Sequence, residues 1–260
     1  MTHGDRPFLL KSTAHALAEA ERTLRPVPII SASIPDLTIA EAYTIAGIRN
    51  AELASVPIGY KLGYTSAAMR QQMGVNEPNY GVLSVRNAVS KDEIAFDQLI
   101  HPLVEPELTV LLGRDLVGPG VGWNEAWDAV EAVMPSIVIV DTRYESYSFT
   151  AVDNISDNSS ASRFVLGERI ARADIANLRD VSVELKCNGQ VIDTGWGRDA
   201  MGDPVIALAW LANALARSGT CIKAGEIVMT GGLTRAHRAE ASFQFSASFG
   251  GLGAAAIHFI

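Results

Sequence analysis

Cysteine is scarce. Cys187 and Cys221 are the only two in 260 residues, and they lie too far apart to form a metal or redox motif. A disulfide framework is thereby set aside, and two reduced thiols are the simpler reading. Long apolar runs are also missing. None approaches the roughly 18 residues that span a bilayer, and the N-terminus has no apolar stretch ending in a small-residue cleavage site. Both absences point to a cytoplasmic protein with no membrane partner. Positive charge is in deficit, with Lys plus Arg at 21 and Asp plus Glu at 29, so the net charge is 21 − 29 = −8. No basic, aromatic-interleaved stretch occurs, which excludes nucleic acid as a partner. There is no fixed-period repeat, no nucleophile elbow and no H-E-x-x-H motif. What is present is an ordinary globular composition, 48% hydrophobic and 19% charged, long enough to bury a sizeable core.

The chain changes texture near residue 80. Before it, Ser12 to Leu24 carries apolar residues at helical spacing, and the two prolines of RPVPII interrupt the pattern. Thr38 and Glu41 form a capping box ahead of Ala42, Ile45 and Ile48. Residues 1–80 therefore read as a helix-rich N-terminal segment and 81–260 as a β-rich catalytic domain. In the second part, short apolar runs alternate with turn residues: LVEPELTVLLG, PSIVIVDT, VSVELKCNGQVI, EIVMTGG and ASFQFSASFGG. Asn188-Gly189 is a hairpin turn between two of them. A helix is expected from Asn124 to about Met134, with Trp127, Val130 and Val133 on one stripe. Another starts at the N-cap Asp203 with Pro204 at its first position and stops at Gly219. The fold class is α+β, a largely antiparallel core with a few packed helices.

The most chemically suggestive segment is HPLVEPELTVLL. In a strand, Glu105 and Glu107 share one face with their roots roughly 7 Å apart. Side by side they repel unless something positive lies between them, and a hard divalent cation meets that need while leaving positions for water and substrate oxygens. Pro106 between them favours an edge strand or a bulge. A solvated strand face is the plain alternative. Lys61 sits between glycines in GYKLGYTS, where it could bind a carboxylate or move a proton; a turn with an exposed lysine is equally compatible. Asp157-Asn158-Ser159-Ser160 reads as a polar loop or an Asx turn. Thr230-Gly231-Gly232 reads as a turn whose amides could hold a carboxylate. Asp141, Arg143 and Tyr144 end another strand, where an Asp–Arg pair is more often structural. His101 is a lone histidine near the carboxylates.

Five segments in order resemble one family: GYKLGYTSAAMRQQMGVNEPNYGVL, HPLVEPELTVLLGRDL, DTRYESYSFTAVDNISDNSSASRFVLG, NGQVIDTGWGRDAMGDPVIALAWLANALARSG and IKAGEIVMTGGLT. From about Asp36 to Ile260 the chain resembles the 2-oxopent-4-enoate hydratase and 4-oxalocrotonate decarboxylase group of the fumarylacetoacetate hydrolase superfamily. The resemblance implies a mixed β-roll core with flanking helices and a lyase acting on 2-oxo-enoate or 2-hydroxydienoate acids from meta-cleavage of aromatic compounds. It implies Mg²⁺ or Mn²⁺ on Glu105 and Glu107, and no organic cofactor. Lys61, Asp157 and Asn158 would be catalytic, and Leu62, Arg143, Ser160, Thr230, Gly231 and Gly232 would bind substrate. It also implies a homo-oligomer, which could associate with a related hydratase or decarboxylase subunit. The segment from Arg143 to Phe149 and the turn MTGGLT look closer to the decarboxylases.

Three positions depart from the family pattern. Its third metal ligand, a glutamate, falls on Val138, which cannot coordinate a metal. Asp141 points to the opposite strand face from Val138 and so does not replace it. Asp203 stands where relatives have histidine and serves as an N-cap, and the tail EASFQFSASFGGLG replaces a Pro-Gly-Asp turn. Three functions are compatible with these departures: a metal-dependent decarboxylase or hydratase, a metal-poor tautomerase or biosynthetic member using Lys61, and a non-catalytic partner subunit.

Overall fold

The computed structural model describes residues 5–260, and the first four residues of the N-terminal segment fall outside that description. In chain order its elements are α1 (Asp5–Thr23), α2 (Ile39–Glu52), β1 (Pro57–Gly63), α3 (Ala67–Met73), β2 (Asn79–Ser84), β3 (Glu93–Ile94), β4 (Leu103–Leu112), α4 (Trp123–Ala129) and β5 (Val130–Val140). Then come α5 (Ala151–Ser156), β6 (Ala161–Leu166), β7 (Ile170–Ala171), β8 (Ser182–Cys187), β9 (Gln190–Trp196) and α6 (Pro204–Ala216). The chain ends with β10 (Ile227–Met229), β11 (His237–Arg238), β12 (Gln244–Phe249) and β13 (Gly253–Phe259).

Strands β2-β1-β10-β4-β5-β6 run side by side in an eight-stranded sheet, with β7 and β11 added to β5 and β4. All neighbours are antiparallel except β1 and β10. The chain leaving β2 bridges β6 through Ala88 and Phe164, so the two edges approach each other and the sheet curls into a roll. The second sheet, β3-β13-β12-β8-β9, is stapled by the expected hairpin, with Asn188 and Gly189 both at positive φ (50° and 80°). That pair of left-handed residues matches the right-handed twist of the flanking strands.

The side-chain period of two sorts each strand between two environments. Val104, Leu108 and Val110 of β4, with Val133, Ile137 and Ile139 of β5, join Phe245, Ala247, Ile257 and Phe259 of the second sheet and the apolar face of α6 in one core. Each fully buried side chain of this kind contributes roughly 1.5–3 kcal/mol. The opposite face carries Glu105, Glu107 and Thr109 beside Val138, Ser136 and Met134, in register. There a smaller apolar cluster of Leu83, Met134, Val138, Phe164, Ile227 and Met229 fills the roll.

Helix ends follow the local code. Thr38 and Glu41 form the reciprocal capping box of α2, and the Asp203 carboxylate accepts the Val205 N–H at the start of α6. Two readings of the sequence need correction. The helix expected to reach Met134 stops at Ala129, because Val130 to Met134 pair with β4 instead; β-branched residues facing a partner strand override a helical stripe. The boundary near residue 80 cuts through β2. Strands β1 and β2 belong to the large sheet, so the helix-rich segment ends at Glu52. Its helices, through Leu10, Leu17 and Ile45, and the link between them, through Ile34, pack onto Tyr144 of the main body. No described helix is long and apolar enough to cross a membrane.

Candidate active site

Lys61, Glu105 and Glu107 converge within the roll. Strand β10 separates β1 from β4, and register places Lys61, Met229 and Thr109 in one row across the three strands. The Lys61 ammonium lies 3.6 Å from Glu105 Oε2 and 3.6 Å from Glu107 Oε1, and it donates to the Leu62 carbonyl at 3.2 Å. Lys61 is 3% exposed and Glu107 0%, which excludes the turn with an exposed lysine. The positive group that two adjacent carboxylates require is therefore built into the chain.

One cation faces two anions, so the cluster holds one negative charge in excess. Burial works against the Lys61 charge, but Glu107 and Glu105 outweigh it and hold the ammonium protonated above its usual range. Burial, opposed by Lys61 and reinforced by Glu105, pushes the Glu107 carboxyl up to about 7. Glu107 Oε2 accepts the Gly231 N–H at 2.7 Å, while its Oε1 is buried with no hydrogen-bond partner among the described residues. Beneath it, Thr109 donates to Ser136, whose hydroxyl donates to the Glu107 carbonyl (2.7 and 2.8 Å). That hydroxyl pair was not anticipated, although Thr109 shares the period-two face of the two glutamates.

Pro106 does not mark an edge. β4 is interior, flanked by β10 and β5. β10 pairs only with Thr109–Leu111, and β11 only with Leu103–Val104. Between them β4 faces the turn at residues 230–233, whose Leu233 N–H bonds to the Pro106 carbonyl at 3.0 Å. The missing proline N–H points to this same side, so no bond to β5 is lost. Gly231 in that turn has φ +113°, and a Cβ there would enter the Thr65 side chain. Gly232 abuts the Glu105 carboxyl. The Thr230 hydroxyl donates to the Leu108 carbonyl at 2.8 Å. In this structure the turn holds the Glu107 carboxylate with one amide.

The remaining expected residues have other occupations. Arg143, 1% exposed, pairs with the Asp157 carboxylate and donates to the carbonyls of Asp141, Ala161 and Asp157. The second Asp157 oxygen accepts from the Thr142 hydroxyl and the Arg143 N–H (3.0 and 3.1 Å). Asn158 exchanges both amide bonds with the Val82 backbone and accepts from Asn50. Ser160 accepts from Asn154 at 2.9 Å. Asn158, Ser159 and Ser160 all have positive φ, between 52° and 56°, a run that costs roughly 1–2 kcal/mol per residue and that these bonds hold in place. The Asn158 backbone lies over Gly81, the β2 partner of Lys61. Asp157, Asn158 and Arg143 form a buried, hydrogen-bonded cluster behind Lys61. Asp141 accepts the Ile100 and His101 N–H groups (2.8 and 2.7 Å) and is a loop cap.

Val138 lies directly opposite Glu105 in the β4–β5 register, on the face where a third carboxylate would complete a metal site. It is 2% exposed within the apolar cluster. Among the described residues no group of three or more His, Cys, Asp or Glu could hold a metal. The donor set that is present, two carboxylates with one oxygen unpartnered, fits a hard cation that keeps most of its shell as water and substrate oxygens.

Comparison with known proteins agrees with this geometry. The model of the fumarylacetoacetate (FAA) hydrolase C-terminal family matches residues 64–257. A 4-oxalocrotonate decarboxylase of Pseudomonas putida is 34% identical over 251 residues, 95% of each chain. The 2-keto-4-pentenoate hydratase 2 of Dechloromonas aromatica is 39% identical over 197 residues, 75% of each chain. The structure of the 4-oxalocrotonate decarboxylase from Pseudomonas putida G7, complexed with magnesium and adipate, superposes with a TM-score of 0.94 at 32% identity, covering 100% of this chain and 99% of that one. The rolled sheet, the buried lysine between two glutamates and these matches place the chain in the fumarylacetoacetate hydrolase superfamily, within its 4-oxalocrotonate decarboxylase and 2-keto-4-pentenoate hydratase group.

Proposed function

We propose that this chain is a lyase that decarboxylates an unsaturated 2-oxo dicarboxylate of the 4-oxalocrotonate class. The observation that carries the reading is a buried ammonium set against two carboxylates on a floor of Val138, Phe164 and Met229. In such a substrate the terminal carboxylate sits on the sp3 carbon next to the C3–C4 double bond, and that double bond is conjugated with the 2-oxo group. When the carbon–carbon bond to that carboxylate breaks, CO₂ leaves and the electron pair moves along the chain to the C2 oxygen. Protonation there gives a 2-hydroxydienoate. Lys61 is suited to bind this oxygen, to stabilise the charge that develops on it and to deliver its proton. The apolar floor excludes water from the departing carboxylate, which favours loss of CO₂.

Glu105 and Glu107 would hold Mg²⁺ or Mn²⁺, a reading supported by the magnesium in the Pseudomonas putida G7 decarboxylase. When bound, the metal would supply Lewis-acid withdrawal at the C1 carboxylate and C2 oxygen. Gly231 orients Glu107 for that role, and the cluster of Arg143, Asp157 and Asn158 positions Lys61. Water addition to a 2-hydroxydienoate is the second reading, favoured by the 39% identity to the Dechloromonas hydratase. A homo-oligomer belongs to the same proposal, supported by the exposed apolar Phe8, Val56 and Val85.

The test is product analysis with purified protein, magnesium and 4-oxalocrotonate. CO₂ and a 2-hydroxydienoate should appear together, and Lys61→Met should lower kcat by about 10²–10⁴-fold. Turnover of 2-hydroxypentadienoate without CO₂ release from 4-oxalocrotonate would replace this reading with the hydratase. No turnover of either substrate would leave a non-catalytic role.

A further inference from the structure

A cavity of about 220 Å³ lies at the seam where β2 and β6 approach, roofed by the N-terminal helices. It is lined by Glu21 of α1, Arg49 and Asn50 of α2, and Arg86 and Asn87 after β2. Lys61, Glu105 and Glu107 do not line it. On β2 it touches Val82 and Ser84, which alternate with the inward-facing Gly81 and Leu83. It therefore lies outside the roll, and Asn158 of the cluster behind Lys61 forms part of its wall.

The charges lining the cavity do not balance. Arg49, 1% exposed, pairs with Glu21 through one terminal nitrogen and donates to Asn50 through the other at 2.8 Å. Arg86 reaches the second Glu21 oxygen at 3.2 Å. Two guanidinium groups thus share one carboxylate. Arg163 stands near enough to help hold Glu21 ionised, and Arg143 is already matched by Asp157. The Arg49 Nε is buried and has no hydrogen-bond partner among the described residues. A buried cation with an unsatisfied N–H is costly unless an anion meets it.

We infer that this cavity is a binding site for a small carboxylate, which pairs with Arg86 beside the buried Arg49 guanidinium. Among the lining residues Glu21, Arg49 and Arg86 one positive charge is uncompensated, which suits a monoanion. The apolar part of the wall, from Leu53, Pro57, Val82 and Ala161, suits a short carbon chain better than the extra oxygens of phosphate. Arg86 keeps about a third of its side chain exposed (33%), so it can admit and release a ligand.

The experiment titrates the full chain with sodium propionate by calorimetry at ionic strength fixed with chloride, with inorganic phosphate as comparator. Arg49 is left intact, since removing it would take from Glu21 its buried partner. Arg86→Gln and Ala51→Glu act at the partly open rim, the second hanging a tethered carboxylate over the mouth. Saturable propionate binding is expected, weakened about tenfold or more by Arg86→Gln, abolished by Ala51→Glu and retained by Lys61→Met. Circular dichroism checks that each variant is folded. The inference is overturned if propionate does not bind, if binding disappears in Lys61→Met, if folded Arg86→Gln and Ala51→Glu bind like the parent, or if phosphate binds more tightly than propionate.

Discussion

At residue scale, Val138 and Glu107 state the chemistry of the site most sharply. Glu107 meets an apolar floor, a lysine and one amide, and Val138 fills the position opposite Glu105 with methyl groups. Val138→Glu should therefore raise Mg²⁺ affinity, by about tenfold or more as the carboxylate count rises from two to three. Without metal the same variant buries a charge in the apolar cluster and should melt below the parent; added Mg²⁺ should reverse the order by mass action. Calorimetry and thermal melts with and without EDTA check both halves, and unchanged affinity would mean that position 138 does not face the cation. Glu21 gives a pH prediction of definite sign. Burial alone would raise its pKa, but Arg49 and its neighbours outweigh that and hold it below the ordinary 4.5. A carboxylate lowered on folding adds stability that is present above about pH 4.5 and lost as pH falls through the folded value. Glu21→Gln should cost about 3–5 kcal/mol at neutral pH and flatten the acid limb of stability against pH, as measured by urea midpoints. A parallel displacement with an unchanged acid limb would contradict the assignment.

At the scale of elements, the turn at residues 230–233 matters more than its length suggests. It fills the gap along β4 between β10 and β11, accepts Pro106 without loss of a ladder bond, and presents its Gly231 amide to Glu107. Only glycine suits that φ, and Thr65 leaves no room for a Cβ. Gly231→Ala should destabilise the fold by more than about 1 kcal/mol. It should also lower activity beyond what the stability loss explains, because the Glu107 donor moves. Denaturant midpoints and kcat on the folded fraction separate the two effects, and an unaltered kcat would remove the amide from the site. The same element scale explains the overextended helix expectation. Trp127 and Val130 do share a helical stripe, but β4 offers Val130–Met134 a partner strand, and pairing of that kind is invisible to local periodicity.

At the scale of the whole molecule, the helices and the roll are one unit. β1 and β2 follow α2 directly into the large sheet, and α1 and α2 are tied to the main body by Tyr144 and by the Asn50–Asn158 bond. Urea unfolding followed by far-ultraviolet circular dichroism and by tryptophan fluorescence should give coincident transitions. All four tryptophans lie after residue 122, so an earlier loss of helix signal would show that the N-terminal segment unfolds separately.

Elements with local causes were legible from the residues alone: the capping box at Thr38, the N-cap at Asp203, the Asn188-Gly189 hairpin, and the shared strand face of Glu105 and Glu107. With five ordered motifs the sequence also pointed to the family. It could not bring Lys61 across β10 to those carboxylates, because 44 residues separate Lys61 from Glu105 and register between non-adjacent strands has no local signature. Nor could it show that Arg143, Asp157 and Asn158 share one buried hydrogen-bonded cluster, since polar side chains look alike until their partners are known. The cluster of Glu21, Arg49 and Arg86 went unread for the same reason. Charge balance and burial are properties of packing, and only the tertiary structure decides which charges are left unmatched.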